Sequence, residues 1–184
     1  MPVPAYQNVT AKSTSATGTV TVAWPTHAVG DVAFLVVEAQ TGTIALNTAN
    51  GFAQIGSQVS ATGTDLAVFW CRATSTSMAS PVLGARTNHQ IAAIVTVRDA
   101  ISTGTPYEDP QTSTKSTAST TANAPQVTTT GPNRLIVGFL SSTIDTSSAW
   151  VTNQSNANLT SPTERMDLAI NTGDGGGIYT FMGG

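Results

Sequence analysis

An all-β, antiparallel sandwich is the fold this sequence predicts, and three observations predict it. Charged residues make up only 9% of the 184-residue chain, against roughly 25% in ordinary soluble domains, so the Lys and Glu that clothe helices are scarce. Thr and Ser stand in their place, 32 and 17 of them. Thr is β-branched and suits a half-buried pleated surface, and Ser suits turns. Finally, short apolar runs recur between Gly, Pro and Asn, and no stretch carries a helical period. A hydrophobic content of 40% is enough for a core, and the length fits a single domain over residues 1–184.

The elements follow in order. Residues 1–18 read as an N-terminal arm. Thr19-Val20-Thr21-Val22-Ala23-Trp24 alternates with period two and stops at Pro25. Gly30-Asp31 opens Val32 to Val37, a continuous apolar run expected to be a central strand buried on both faces. Gly51 to Gly56 is a short strand between glycines, and Leu66 to Arg72 follows the turn Thr62-Gly63-Thr64-Asp65. Pro81-Val82-Leu83 is a marginal strand, and His89 to Arg98 is a long one. Residues 103–125 are an irregular or edge segment: a turn-rich crossing, then a Ser/Thr/Ala stretch without apolar period. Gln126 to Thr129 resumes extended structure, and Leu135 to Leu140 is a second buried strand. The tail offers Ala149-Trp150-Val151, Asn158-Leu159-Thr160, Met166 to Ile170 and Gly175 to Met182. A buried strand followed by aromatic-bearing strands occurs in each half, which suggests a jelly-roll-like form with two facing halves.

Charge narrows the function. The net charge is −3 with seven Lys plus Arg and no basic cluster, which argues against nucleic acid. The longest apolar run, six residues, is far too short to span a bilayer. The N-terminus shows no secretion signal, so synthesis in a cytoplasm is expected. Cys71, the one cysteine, lies in an apolar run and reads as a small buried hydrophobe.

Residue types that could carry chemistry are present without a supporting pattern. His27 is expected in a loop, neither His27 nor His89 stands near a Gly-x-Ser-x-Gly elbow, and no catalytic residue is assigned. The carboxylates, Glu38 and Asp65 among them, mostly flank turns or strand ends and are expected to cap turns or pair with Arg. Arg98 is matched with Asp99, and Arg165 with Glu164 and Asp167. Asp174-Gly175-Gly176-Gly177 offers one carboxylate, a thin set for a cation, so no metal and no cofactor are assigned. Trp24, Tyr107 and Trp150 are the candidate contacts for a glycan or a protein partner, although a core role suits each of them too.

Trp150, Asn158-Leu159, Thr163-Glu164-Arg165-Met166-Asp167 and Gly173-Asp174-Gly175-Gly176-Gly177-Ile178 occur in this order, after Val29-Gly30-Asp31 and His89-Gln90-Ile91-Ala92. As an ordered set they resemble β-sandwich domains of tailed-bacteriophage virion proteins, from about Thr19 to Gly184. The resemblance implies a structural, non-enzymatic role in a virion, as a capsid-surface (decoration), tail or fibre component. It implies other virion proteins and copies of the same chain as partners, with host-surface glycan as the alternative ligand. Such domains carry a further strand after the glycine-rich one. The strand holding Ile178, Tyr179, Thr180 and Phe181 is therefore expected to be an open edge completed by a neighbouring subunit.

Overall fold

The computed structural model of the protein describes residues 3–40, 42–160 and 162–184. These residues form thirteen strands and no helix. They are β1 (Ala5–Val9), β2 (Ser13–Ser15), β3 (Gly18–Thr21), β4 (Val32–Ala39), β5 (Leu46–Thr48), β6 (Ala53–Gln54), β7 (Val59–Ala61), β8 (Thr64–Arg72), β9 (Val82–Arg86), β10 (Gln90–Arg98), β11 (Ile136–Ser142), β12 (Thr163–Ile170) and β13 (Gly176–Gly183). The fold is an all-β antiparallel sandwich, as the composition requires.

Three sheets are stacked. The central one runs β10-β4-β8 through its middle, with β1 and β2 along the outer edge of β10 and β6 and β7 along the outer edge of β8. One cover sheet is β3-β9-β5, and the other is β11-β13-β12. Alternation explains the stacking. Ala33, Leu35 and Val37 of β4, with Ala92 and Ile94 of β10 and Phe69 of β8, face Val20, Val22 and Leu83 on the first cover. The intervening Val36, Ile91 and Ala93 face Met166, Ile170 and Ile178 on the second. Val32, Phe34, Val95 and Val97 meet Met182 there. A strand covered on both faces has no polar side to write into its sequence. Hence the continuous apolar runs in β4 and β10, where each buried Val, Leu or Ile contributes about 1.5–3 kcal/mol.

Several expectations are corrected. The jelly-roll form with two equivalent halves is not confirmed. The first 98 residues supply the whole central sheet and one cover, and the second half supplies only three strands. The described part of the N-terminal arm, from Val3, is no loose arm: β1 and β2 pair with β10, which would otherwise expose an edge. Met1 and Pro2 lie outside the described residues. Residues 112–124 are exposed and form no strand, which decides between the two alternatives for that stretch. β11 is half-buried along its length because it is an edge strand, not a second buried one. Gln126 to Thr129, Ala149 to Val151 and Asn158 to Thr160 join no sheet.

The open-edge expectation is overturned. Ile178, Tyr179, Thr180 and Phe181 lie on the middle strand of the second cover sheet, paired with β11 on one side and β12 on the other. Their ladder groups are used within the chain, and the edges of this sheet are β11 and β12.

A buried polar cluster beneath a glycine turn

The end of β4, the start of β8 and the residues entering β10 meet at one end of the central sheet. Glu38 and His89 face each other there, 3.0 Å apart between Oε1 and Nε2, both with 0% of the side chain exposed. The sequence put Glu38 among carboxylates that flank turns or strand ends and cap turns or pair with Arg. It is the penultimate residue of β4, opposite Ile91 of β10 and Leu66 of β8, and its partner is His89 rather than an Arg.

Neighbours fix the pair. Thr64 Oγ1 donates to Glu38 Oε1 at 3.0 Å and stands 3.3 Å from Ser141 Oγ on β11, so the cluster bridges the central and second cover sheets. His89 Nδ1 lies 3.1 Å from Asn88 Oδ1. The same Oδ1 accepts the backbone N–H of Asp174 at 3.1 Å, and Asn88 Nδ2 donates to Asp174 Oδ2 at 2.8 Å. Gln40 also donates to that carboxylate. Asp174 therefore holds a turn in place. No group of three or more His, Cys, Asp or Glu side chains that could hold a metal occurs among the described residues.

The turn between β12 and β13 closes the cluster from above. Gly173 and Gly175 have φ of 68° and 74°, the left-handed region that favours glycine. A Cβ on Gly176 would overlap Glu38 Oε2 and stand 2.8 Å from His89 Nε2. The glycines let the backbone lie directly on the pair. Burial pushes the Glu38 carboxyl above its ordinary range; His89 and Thr64 oppose the shift, and Asp65 adds to it. Its Oε2 has no hydrogen-bond partner among the described residues.

The three aromatic candidates are half-buried and do not share a face. Trp24 packs on Phe52, with ring centroids 5.3 Å apart, and donates from Nε1 to Ala79 O at 3.2 Å. Tyr107 stands edge-on to Trp70 at 6.3 Å, over the opposite face of the central sheet. Trp150 stands edge-on to Tyr179 at 6.4 Å, on the outer side of the second cover sheet, where a Cβ on Gly177 would meet it. Burial, with Glu164 and Asp167 nearby, pushes the Tyr179 hydroxyl up to about 12.

Two charge pairings differ from expectation. Arg98 binds Asp31 through two 2.8 Å hydrogen bonds, not Asp99. Arg165 lies over the Tyr6 ring at 4.6 Å, while Asp167 accepts the amides of Trp150 and Val151. That capping explains why Trp150 lies in a covering loop and not in a strand. Cys71 is buried in the core as expected, and burial raises its thiol. His27 is in a loop, as expected, with its Nδ1 2.7 Å from Pro25 O.

The other end of the central sheet differs in character. Ala5 pairs with Arg98, and Val32 pairs with both Val97 and Arg72, so the start of β1, the start of β4 and the ends of β8 and β10 coincide. Just beyond these positions stand the three large hydrophobic side chains exposed among the described residues: Val3 at 54%, Val29 at 63% and Ile101 at 45%. Beside them an open groove of about 540 Å³ is lined by Trp24, His27 and Met78 together with Thr26, Thr76 and Ser77. Comparison with protein-family models, curated proteins and solved structures gives no match.

Proposed function

We propose that this protein is a structural component of a bacteriophage virion, at the capsid surface or in a tail or fibre, working through protein–protein contacts and not through catalysis. The observation that carries the contact role is the placement of Val3, Val29 and Ile101 at one end of the central sheet. Exposed apolar side chains scattered singly are ordinary, whereas apolar groups gathered at one place suit a partner surface. The His–Glu pair is sealed from solvent and from any substrate, which supports a non-catalytic reading. The virion assignment rests on the resemblance of the ordered motifs.

A second reading, glycan binding, is favoured by the groove beside Trp24, where an aromatic edge meets hydroxyl side chains. Light scattering over a range of concentrations tests the first reading. A defined oligomer is expected. A strict monomer that binds one class of glycan on an array would replace the first reading with the second.

A further inference from the structure

We propose that Glu38 is protonated and donates its O–H to Nε2 of a neutral His89, and that this pair is a pH-controlled latch fastening the Asp174–Gly177 turn, and with it the second cover sheet, onto the central sheet.

The hydrogen-bond directions fix one hydrogen on His89 Nδ1 and one proton between Nε2 and Glu38 Oε1, and burial places the latter. Asn88 must present Oδ1 to Asp174, because the backbone N–H there can only donate. The contact from His89 Nδ1 to that same oxygen then requires a hydrogen on Nδ1. In the neutral ring Nε2 is therefore an acceptor. Its 3.0 Å approach to Glu38 Oε1 needs one proton between them, and burial of the pair with one carboxyl oxygen unpartnered among the described residues favours keeping that proton on Glu38 over an ion pair. A neutral acid also leaves Oε2 as a carbonyl oxygen. Without a partner in a site closed to water, that costs less than an unpaired carboxylate oxygen.

The surrounding charges favour the same state. Asp65 on β8 is the carboxylate that acts on Glu38. Asp174, held by Asn88 and Gln40, and Asp145, whose Cα abuts Gly175, lie on the turn side. The basic groups are Arg86, beside Asp65, and Lys12, whose Nζ donates to Ala169 O on β12. Thr64 and Ser141 are neutral. An ionised Glu38 would face the Asp65 carboxylate, with its second oxygen unpartnered among the described residues. Residues 171–175 join no strand, so the turn can lift at the cost of only the first pairs of β13, Gly176 with Ile170 and Gly177 with Ala169 and Ser142. Its glycines at 173 and 175 already hold hinge-like φ values, and Asp174 is its anchor. Losing the proton would thus lift the turn and admit water to the carboxylate.

The sign follows from the burial-raised carboxyl. Its contribution is complete below the ordinary carboxylate range and is lost as pH rises through the raised value. Amide hydrogen exchange on the whole chain reads it out. After correction for the intrinsic base-catalysed rate, protection at Gly175, Gly176 and Gly177 should fall by about tenfold per pH unit across the titration, the slope of one proton. Glu38→Gln keeps the shape and removes the proton, so its protection should be flat over the same range. Parallel profiles in the two proteins would overturn the latch. Should Glu38→Gln fail to fold, the ring nitrogens of His89 in the unaltered protein decide. One protonated nitrogen, Nδ1, at neutral pH supports the proposal, and an imidazolium protonated at both overturns it.

Discussion

A Cβ on Gly176 would overlap the Glu38 carboxyl, although the backbone φ there lies outside the left-handed region. The glycine is required by space, not by conformation. Gly176→Ala should therefore cost about 1–3 kcal/mol, the usual penalty of overpacking. Gly131→Ala is the control: the nearest atom, Nη2 of Arg134, would be 3.7 Å away. It should stay within about 0.5 kcal/mol in urea denaturation. Asp31 gives a pH dependence of opposite sign to Glu38. Its hydrogen bonds from Arg98, more than the offsetting burial, hold its carboxyl below the usual carboxylate range. That stabilisation is present above the ordinary value and is lost as pH falls through the depressed one. Thermal melting should show the unaltered protein losing stability below about pH 4, a limb that is shallower in Asp31→Asn. Two arms of the same slope would reject the assignment.

The strands differ in how strongly the sheet depends on them. Leu35 and Ile94 are fully buried on β4 and β10, in the middle of the central sheet. Leu35→Ala or Ile94→Ala should each cost about 2–5 kcal/mol, because neighbours on several strands cannot all collapse into the space. Residues 112–124 are exposed and outside every sheet. A protease should cut there first and leave the melting transition of the nicked protein unchanged; a lowered transition would mean that the segment supports the fold. The same contrast governs what the sequence reveals. β4 and β10 are legible because burial on both faces writes an unbroken apolar run. β1 and β2 are not, since Ala5-Tyr6-Gln7-Asn8-Val9 and Ser13-Thr14-Ser15 are edge strands with little apolar content, specified by the β10 edge they complete. The position of β13 as a middle strand is equally hidden, because strand order depends on long-range pairing. The Glu38–His89 pair joins residues 51 apart in sequence. Its one local signal is a carboxylate that closes the run Val32–Val37 where a seventh apolar residue would fit.

The molecule has two unlike ends. At one, the buried Glu38, His89 and Thr64, with the exposed Asp174 anchoring the turn above them, bind the layers together. At the other, the layers meet through Val32, Val97 and Met182, and apolar side chains continue outward as Val3, Val29 and Ile101. Association through the second end should not depend on the first. The double change Val29→Ser and Ile101→Ser removes exposed side chains, so folding stability should move by no more than about 0.5 kcal/mol per site. If that end is the contact surface, each lost side chain removes up to about 1.5–3 kcal/mol of burial from the interface. The association constant should then fall by about tenfold or more at unchanged melting temperature. Glu38→Gln, at the opposite end, should leave association untouched while flattening the pH response of the turn. Sedimentation of the three proteins at equal concentration separates the two roles. An oligomer insensitive to the double change would move the contact surface to β11 and β12, the outer strands of the second cover sheet.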